Sequence, residues 1–155
     1  MKQDSQSESK RYRGSREEAV FLDLLRTTDL LSRRLVGVLK QEDLSPTQYN
    51  VLRILRGAPE GLACGEIGNR MITRDPDITR LLDRMEKRHL IARSRDGKDR
   101  RMVLARITAE GLEVLTGLDE PVQEAHRKLL GHLGRERMQQ LAELLRVARA
   151  RVEVA

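Results

Sequence analysis

The feature that most constrains this chain is a change in the spacing of its apolar residues near residue 90. Up to that point apolar residues recur at about every third or fourth position, which is the period of an α-helix. Residues 90–95 and 101–107 then form two short extended segments, and the Asp-Gly pair within residues 96–99 predicts a β-hairpin between them. A helical period returns after Thr108. The fold is therefore predicted to be mainly α, with one small hairpin between two helical regions.

Length and composition agree with one helical domain. The chain has 155 residues, which is long enough for one core and too short for two comfortable ones. Its only aromatic residues are Tyr12, Phe21 and Tyr49, so the core must be built from aliphatic side chains. No stretch reaches the roughly 18 apolar residues of a membrane helix, and the first 20 residues contain no apolar signal segment. We therefore expect a soluble cytoplasmic protein.

The first two helices have clear local signals. A helix is predicted over about residues 15–41, and a second one begins at Ser45. The Ser45 side chain can cap this helix, Pro46 suits its first position, and Gln48 can close a capping box. The second helix is predicted to end near Gly57.

Two more short helices are predicted before the hairpin. The first covers about residues 64–71 and has no capping side chain at its start. The second begins at Asp75-Pro76, a capping residue followed by a proline in the first turn. Its buried stripe is predicted to comprise Ile78, Leu81, Leu82 and Met85. Its outward face is predicted to comprise Asp77, Arg80, Asp83, Arg84 and Lys87.

Two further helices are predicted after the hairpin. Thr108 is expected to cap the first of them, Pro121 is expected to kink it, and Gly131 and Gly134 bracket the break before the last helix. The first and last helices of the chain carry more apolar residues than one small module could cover. Because an exposed stripe of that length would aggregate, the sequence predicts a dimer with no folded monomer.

Positive charge is concentrated in residues 80–106. This window holds ten Lys or Arg residues against four Asp or Glu residues, so it carries as much net charge as the whole chain, which is +6. Such a concentration is typical of a face that binds an anion. A solvated helix face beside a charged hairpin would give the same pattern and is the alternative interpretation.

Three short helices followed by a basic hairpin form a winged helix-turn-helix, an architecture that binds double-stranded DNA. A helix fits the major groove, and a positive hairpin can reach phosphates or the minor groove. The helix that begins near Asp75 is predicted to be the reading helix because its exposed side is basic. We expect the DNA-binding residues to be Arg74, Asp77, Thr79, Arg80, Arg84, Lys87, Arg95, Lys98, Asp99, Arg100 and Arg101.

The sequence resembles the MarR family of bacterial transcription regulators from about Glu17 to Val152. Residues 44–48 resemble the start of the family's second helix, and residues 78–91 resemble its recognition helix, with His89 where glycine is usual. The most specific likeness is to the family's wing motif, with Ile107 in place of leucine. This motif comprises Asp99, Arg100 and Arg101, then Ile107-Thr108 and Glu110-Gly111.

The resemblance implies a homodimer that binds a palindromic operator. Residues 15–43 and 108–155 would form the helical dimerisation region, residues 44–107 the winged module, and residues 1–14 a disordered basic tail. Arg101 would enter the minor groove from the wing, and Asp99 would orient it. The family also implies a small-molecule effector, to whose pocket Phe21 and Tyr49 could contribute.

The predicted function is a sequence-specific transcriptional regulator, most simply a repressor. Two other classes stay open: a non-specific or architectural DNA-binding protein, which basic charge alone would explain, and a protein-interaction module. No phosphate loop or nucleophile elbow is present, so an enzyme is not expected, and we predict no cofactor.

The single cysteine and the histidines do not predict a separate site. Cys64 cannot form an intramolecular disulfide, and we expect a small buried residue there rather than a peroxide sensor. His126 and His132 are six residues apart and do not share a helix face, so no metal site is predicted.

Overall fold

The structure is a computed structural model and describes residues 14–153. The predicted tail therefore lies outside the described residues, apart from Gly14. The chain divides between Arg33 and Arg34 into two units. Residues 14–33 contain the first part of helix α1, on which Val20, Phe21, Leu25 and Leu30 are exposed.

The described residues form six α-helices and three strands, as the sequence predicted except for one additional strand. The helices are α1 (Arg16–Leu39), α2 (Pro46–Arg56), α3 (Cys64–Arg70), α4 (Ile78–Lys87), α5 (Ala109–Leu130) and α6 (Gly134–Glu153). The strands are β1 (Leu62–Ala63), β2 (Ile91–Arg95) and β3 (Val103–Ile107). Short 3-10 turns follow α1 and α5, at Lys40–Glu42 and Gly131–Leu133.

The start of α2 confirms the predicted capping box. Ser45 Oγ accepts a hydrogen bond from the Gln48 N–H at 3.1 Å, and Gln48 Oε1 accepts one from the Ser45 N–H at 3.0 Å. Pro46 occupies the first helical position. Each of these contacts spans three residues, so the local sequence is sufficient to specify them.

The hairpin differs from the prediction in two ways. Its two strands are joined by the seven residues 96–102 rather than by a tight turn, so Arg101 lies in the connection and not in β3. A third strand, β1, pairs with β3 on the side away from β2, which gives an antiparallel sheet of order β1-β3-β2. The name wing is used for residues 91–107, and the name wing loop for residues 96–102.

One aliphatic core lies among α2–α5 and the sheet. Its members are almost all Leu, Ile, Val or Met, with one aromatic residue, Tyr49. The predicted stripe of α4 is confirmed, with Leu81, Leu82 and Met85 fully buried and Ile78 packed against the core in part. A two-pronged ion pair between Arg56 of α2 and Asp119 of α5, with Nη1–Oδ2 at 2.8 Å, adds to the apolar contact between these helices.

The end of α4 shows why glycine is usual at position 89. The Leu90 N–H donates to the Met85 carbonyl at 3.0 Å and the His89 N–H to the Glu86 carbonyl at 2.9 Å, which is the Schellman pattern of helix termination. This pattern needs a left-handed residue, and His89 has φ = 57°. Glycine adopts that conformation without strain, and here a histidine occupies it.

The start of α5 is held against the end of α4 by a close approach of two backbones. Thr108 Oγ1 accepts from the Gly111 N–H at 3.0 Å, as predicted for the cap, and the Thr108 N–H donates to the Leu90 carbonyl at 3.1 Å. Gly111 is buried, and a Cβ added to it would lie 2.1 Å from the Leu90 carbonyl oxygen. Only glycine fits this position.

The last helix has no buried residue within this single chain. Helix α5 continues through Pro121, and the predicted break between Gly131 and Gly134 is confirmed as a 3-10 turn. Along α6, large apolar side chains are exposed, namely Met138, Leu141, Leu144, Val147 and Val152. A helix gains most of its stability from burying an apolar face, and none of the α6 residues is buried by residues 34–153.

Candidate nucleic-acid interface

Helix α4 begins two residues later than predicted. Asp75 does not cap it. Its Oδ1 accepts from the Asp77 N–H at 2.8 Å and so forms a turn around Pro76. The capping residue is Asp77, whose Oδ1 accepts from the Arg80 N–H at 3.1 Å and whose Oδ2 lies 3.2 Å from Arg80 Nε. An aspartate side chain can either close a turn or cap a helix. The Asp75-Pro76 pair alone therefore does not show which of the two aspartates caps α4.

The exposed face of α4 is basic, as expected for a reading helix. Arg80, Arg84 and Lys87 are exposed and follow one another at four- and three-residue intervals, so they share one side of the helix. Thr79 is exposed in the first turn. Arg74 is exposed in the connection before α4. The helix therefore presents three cations and one hydroxyl to solvent on a rigid element.

Asp83 was predicted on the outward face of α4, and the structure places it at the edge of that face, bonded to the wing. It is half-buried and accepts from Arg93 Nη2 at 2.5 Å. Arg93 of β2 also bonds Glu86, with Nη2–Oε2 at 2.7 Å and Nε–Oε2 at 3.0 Å. The hydrogen bonds from Arg93 hold the pKa of the Glu86 carboxyl below its usual range, and the bond to Glu86 raises the pKa of Arg93. Sequence reasoning counted Arg93 as positive charge on the surface and missed its two partners.

The wing loop is built from two aspartate turns. Asp96 Oδ1 accepts from the Lys98 N–H at 3.2 Å, and Asp99 Oδ1 accepts from the Arg101 N–H at 3.0 Å. The Met102 N–H donates to the Asp99 carbonyl at 3.0 Å and closes a tight turn over Arg101. The resemblance implied that Asp99 would orient Arg101, and the observed contact is to the main chain of Arg101 rather than to its guanidinium.

The remaining candidate residues of the wing are exposed cations. Lys98, Arg100 and Arg101 lie in the loop, and Arg95 ends β2, where its Nη1 donates to the Arg100 carbonyl at 3.2 Å. This contact draws the side chain of Arg95 over the loop. With the exposed cations of α4, the structure gives the winged module two positive elements, a helix and a loop.

A groove lies at the carboxyl end of α4. It has a volume of about 560 Å³ and is lined by the last residues of α1, the start of α2 and the last turn of α4. Its cations are Lys40, Arg84, Lys87 and Arg88, and its acidic side chain is Asp43. Arg88 is anchored there, since Nη1 donates to the Asp43 carbonyl at 2.6 Å. Among the described residues that line the groove, none is aromatic, and Tyr49 is buried in the core.

Other features of the described residues do not add a chemical site. Cys64 is half-buried, and its Sγ lies 4.0 Å from Thr79 Oγ1 of the reading helix. Within residues 14–153, no cluster of His, Cys, Asp and Glu is placed to hold a metal ion. In the same range, none of the helices is long and apolar enough to span a membrane.

Comparison with known proteins identifies the family. The MarR family profile matches residues 44–103, from the start of α2 to the start of β3. A MarR transcription factor from Planctomyces limnophilus, of known crystal structure, is 40% identical, with a TM-score of 0.66 over 90% of this chain and 99% of the other. The chain belongs to the MarR family. It is a DNA-binding transcriptional regulator, and its relatives are regulators rather than enzymes.

Two further relatives of this MarR-family chain show what its fold and sequence are similar to. The homoprotocatechuate degradative operon repressor of Escherichia coli is 26% identical, over 83% of this chain and 86% of the other. A mutant MarR from Escherichia coli complexed with operator DNA has a TM-score of 0.75 at 24% identity, over 85% of this chain and 96% of the other. The second likeness establishes the winged-helix fold.

Proposed function

We propose that this MarR-family regulator is a repressor that binds a palindromic operator as a homodimer. The observation that carries the proposal is the pair of exposed basic elements, α4 with Arg80, Arg84 and Lys87, and the wing loop with Lys98 and Arg101. Helix α4 would read base edges in the major groove, and the loop would enter the adjacent minor groove. That one relative represses an operon and another binds operator DNA supports this assignment.

The eleven candidate residues divide into four roles in this proposal. Thr79 and Arg80 are placed in the first turn of α4 and would contact bases. Asp77 would position Arg80 through its cap and its ion pair, and Asp99 would position Arg101 through the bond that it accepts from the Arg101 N–H. The exposed cations Arg74, Arg84, Lys87, Arg95, Lys98 and Arg100 would contact phosphates, and Arg101 would enter the minor groove.

The homodimer is supported by the exposed apolar face of α6. Leu141 is 39% exposed and Leu144 67% exposed in the single chain. Such side chains on a helix without any buried residue need a partner surface. A second copy of the same chain would supply one and would place two reading helices on the two halves of a palindrome.

The groove beside α4 supports release by an acidic effector. Arg84 and Lys87 line the groove and are also proposed phosphate contacts. A carboxylate bound there would neutralise charge that DNA needs, so effector and operator would compete. The volume of about 560 Å³ suits a small organic acid.

Selection of bound sites from random duplex DNA tests the function. The proposal predicts that a palindromic sequence is enriched. If each subunit neutralises four or five phosphates, the logarithm of the association constant should fall against the logarithm of the salt concentration with a slope of about −7 to −9. Repeating the measurement with benzoate at constant ionic strength tests the effector. Binding without sequence preference would favour an architectural protein, and a slope shallower than about −3 would remove the basic face from the mechanism.

Substitutions in the wing loop are expected to separate the effect of charge on DNA affinity from the effect of loop geometry. Arg101→Ala should weaken binding to selected and unrelated duplexes alike and reduce the salt slope by about one unit per subunit. Asp99→Ala should also weaken binding, because the Arg101 N–H loses its acceptor. Asp99→Asn, which keeps an oxygen at that place and removes a negative charge, should bind at least as well as wild type. Tighter binding by Asp99→Ala, measured by titration of labelled duplex, would contradict the geometric role.

A further inference from the structure

Arg93 is a basic residue of the wing whose side chain is turned back onto the reading helix. Its side chain is 26% exposed, and it donates from Nη2 to Asp83 and from both Nε and Nη2 to Glu86. The Arg93 N–H also donates to Glu86 Oε1 at 2.9 Å. Four hydrogen bonds thus join β2 to α4 through a single residue.

Arg93 differs in this respect from the other cations of the wing. Among the described residues 91–107, it alone pairs with carboxylates. Arg95 bonds a main-chain carbonyl of the wing loop, and Arg106 Nη1 donates to Ser94 Oγ within the sheet. The Arg93 contacts are the ones that leave the wing and reach α4.

The carboxylates and the exposed cations of α4 differ in their exposure and in their partners. Asp83 and Glu86 are three residues apart and face Arg93, whereas Arg80, Arg84 and Lys87 are exposed. A planar guanidinium that bonds two carboxylates fixes both the distance and the orientation of the elements it joins. The contact can therefore hold the wing at a set position without using the residues that face solvent.

We propose that Arg93 is a positioning residue that holds the wing against the reading helix, so that both elements engage one DNA site, and that it does not contact DNA. The inference rests on the proposed function, because it assumes that helix and wing bind the same duplex. Free movement of the wing would leave each element able to bind phosphates but unable to read one site together. Arg93 thus contributes to the sequence specificity of DNA binding rather than to the positive charge that binds phosphates.

The test uses the charge-conserving variant Arg93→Lys in the full chain. Lysine keeps the positive charge but cannot form the forked contact. For the selected palindromic duplex, affinity should fall about three- to tenfold, as for loss of a partly exposed ion-pair network. For a scrambled duplex of the same composition, affinity and the salt slope should stay unchanged. The matched control is Arg106→Lys, an arginine of β3 that bonds Ser94 within the sheet and is not a proposed DNA contact, which should leave the ratio of the two affinities unchanged.

Each other outcome overturns the inference in a recognisable way. An equal loss for both duplexes would mean that less protein is folded or that Arg93 contacts phosphates, and a smaller salt slope would indicate the phosphate contact. An unchanged ratio would show that the wing is positioned without Arg93. If Arg93→Lys does not fold, as judged by circular dichroism, Asp83→Asn removes one contact and should lower the ratio less. A wild-type protein that does not discriminate between the duplexes would instead refute the proposed function, and the positioning role with it.

Discussion

A double substitution on the exposed face of α6, Leu141→Glu with Leu144→Glu, is expected to abolish tight binding to the selected palindrome. Both side chains are exposed in the single chain, so their replacement removes no core contact within it. In a dimer each substitution would bury a charge in an apolar interface. Loss of the second half-site removes the gain from bivalent binding, so affinity should fall about 100-fold or more.

Sedimentation and duplex titration measure this effect together. The double variant should shift from dimer to monomer, or lose helical structure if the monomer does not fold. The control is Gln139→Glu, an exposed residue on the opposite side of α6, which adds one negative charge and should leave the dimer intact. A double variant that remains a dimer and binds like wild type would show that α6 is not the interface.

Gly111→Ala is expected to destabilise the fold by roughly 3 kcal/mol or more, at the upper end of the cost of overpacking. The new Cβ would lie 2.1 Å from the Leu90 carbonyl oxygen, and both atoms belong to main chain or are fixed to it. Moving them apart would also break the hydrogen bond from the Thr108 N–H to the same carbonyl. Because the clash involves the Cβ atom itself, no rotation of the side chain can relieve it.

Gly117→Ala in the same helix is the matched control. Gly117 is exposed, and an added Cβ would meet no atom within 4 Å. Alanine is the better helix former, so this variant should gain roughly 0.5–1 kcal/mol. Urea unfolding at a fixed protein concentration measures both changes. Similar stability of the two variants would contradict the close approach at Gly111.

The parts of the fold that the sequence predicts well are those set by neighbouring residues. The Ser45 cap, the break between Gly131 and Gly134 and the buried stripe of α4 can all be recognised from residue types and spacings within about four positions. The start of α4 was misplaced because Asp75 and Asp77 can each accept a main-chain N–H, and only the turn at Pro76 decides between them.

The parts that it could not predict depend on residues far apart in the chain. Strand β1 has two residues, too few to show an alternating pattern, and it exists only because β3 lies beside it. The charge window predicted a basic face correctly as a region, but counting charges could not show that Arg93 is paired with Asp83 and Glu86. The fold class followed from periodicity, whereas the pairing of side chains required the tertiary structure.

The joint around Leu90 limits how such a regulator can be switched. The Leu90 carbonyl accepts from the Thr108 N–H and lies against Gly111, and the Leu90 N–H donates to the last turn of α4. Arg93 bonds the following strand to the same helix. We therefore expect α4, the wing and the first turn of α5 to move together as one rigid body. An effector that does not itself cover α4 would then change the distance between these rigid bodies in the two subunits of a dimer. Each reading surface would stay intact. Mutations that alter that kind of induction should accordingly be separable from those that alter which bases are read.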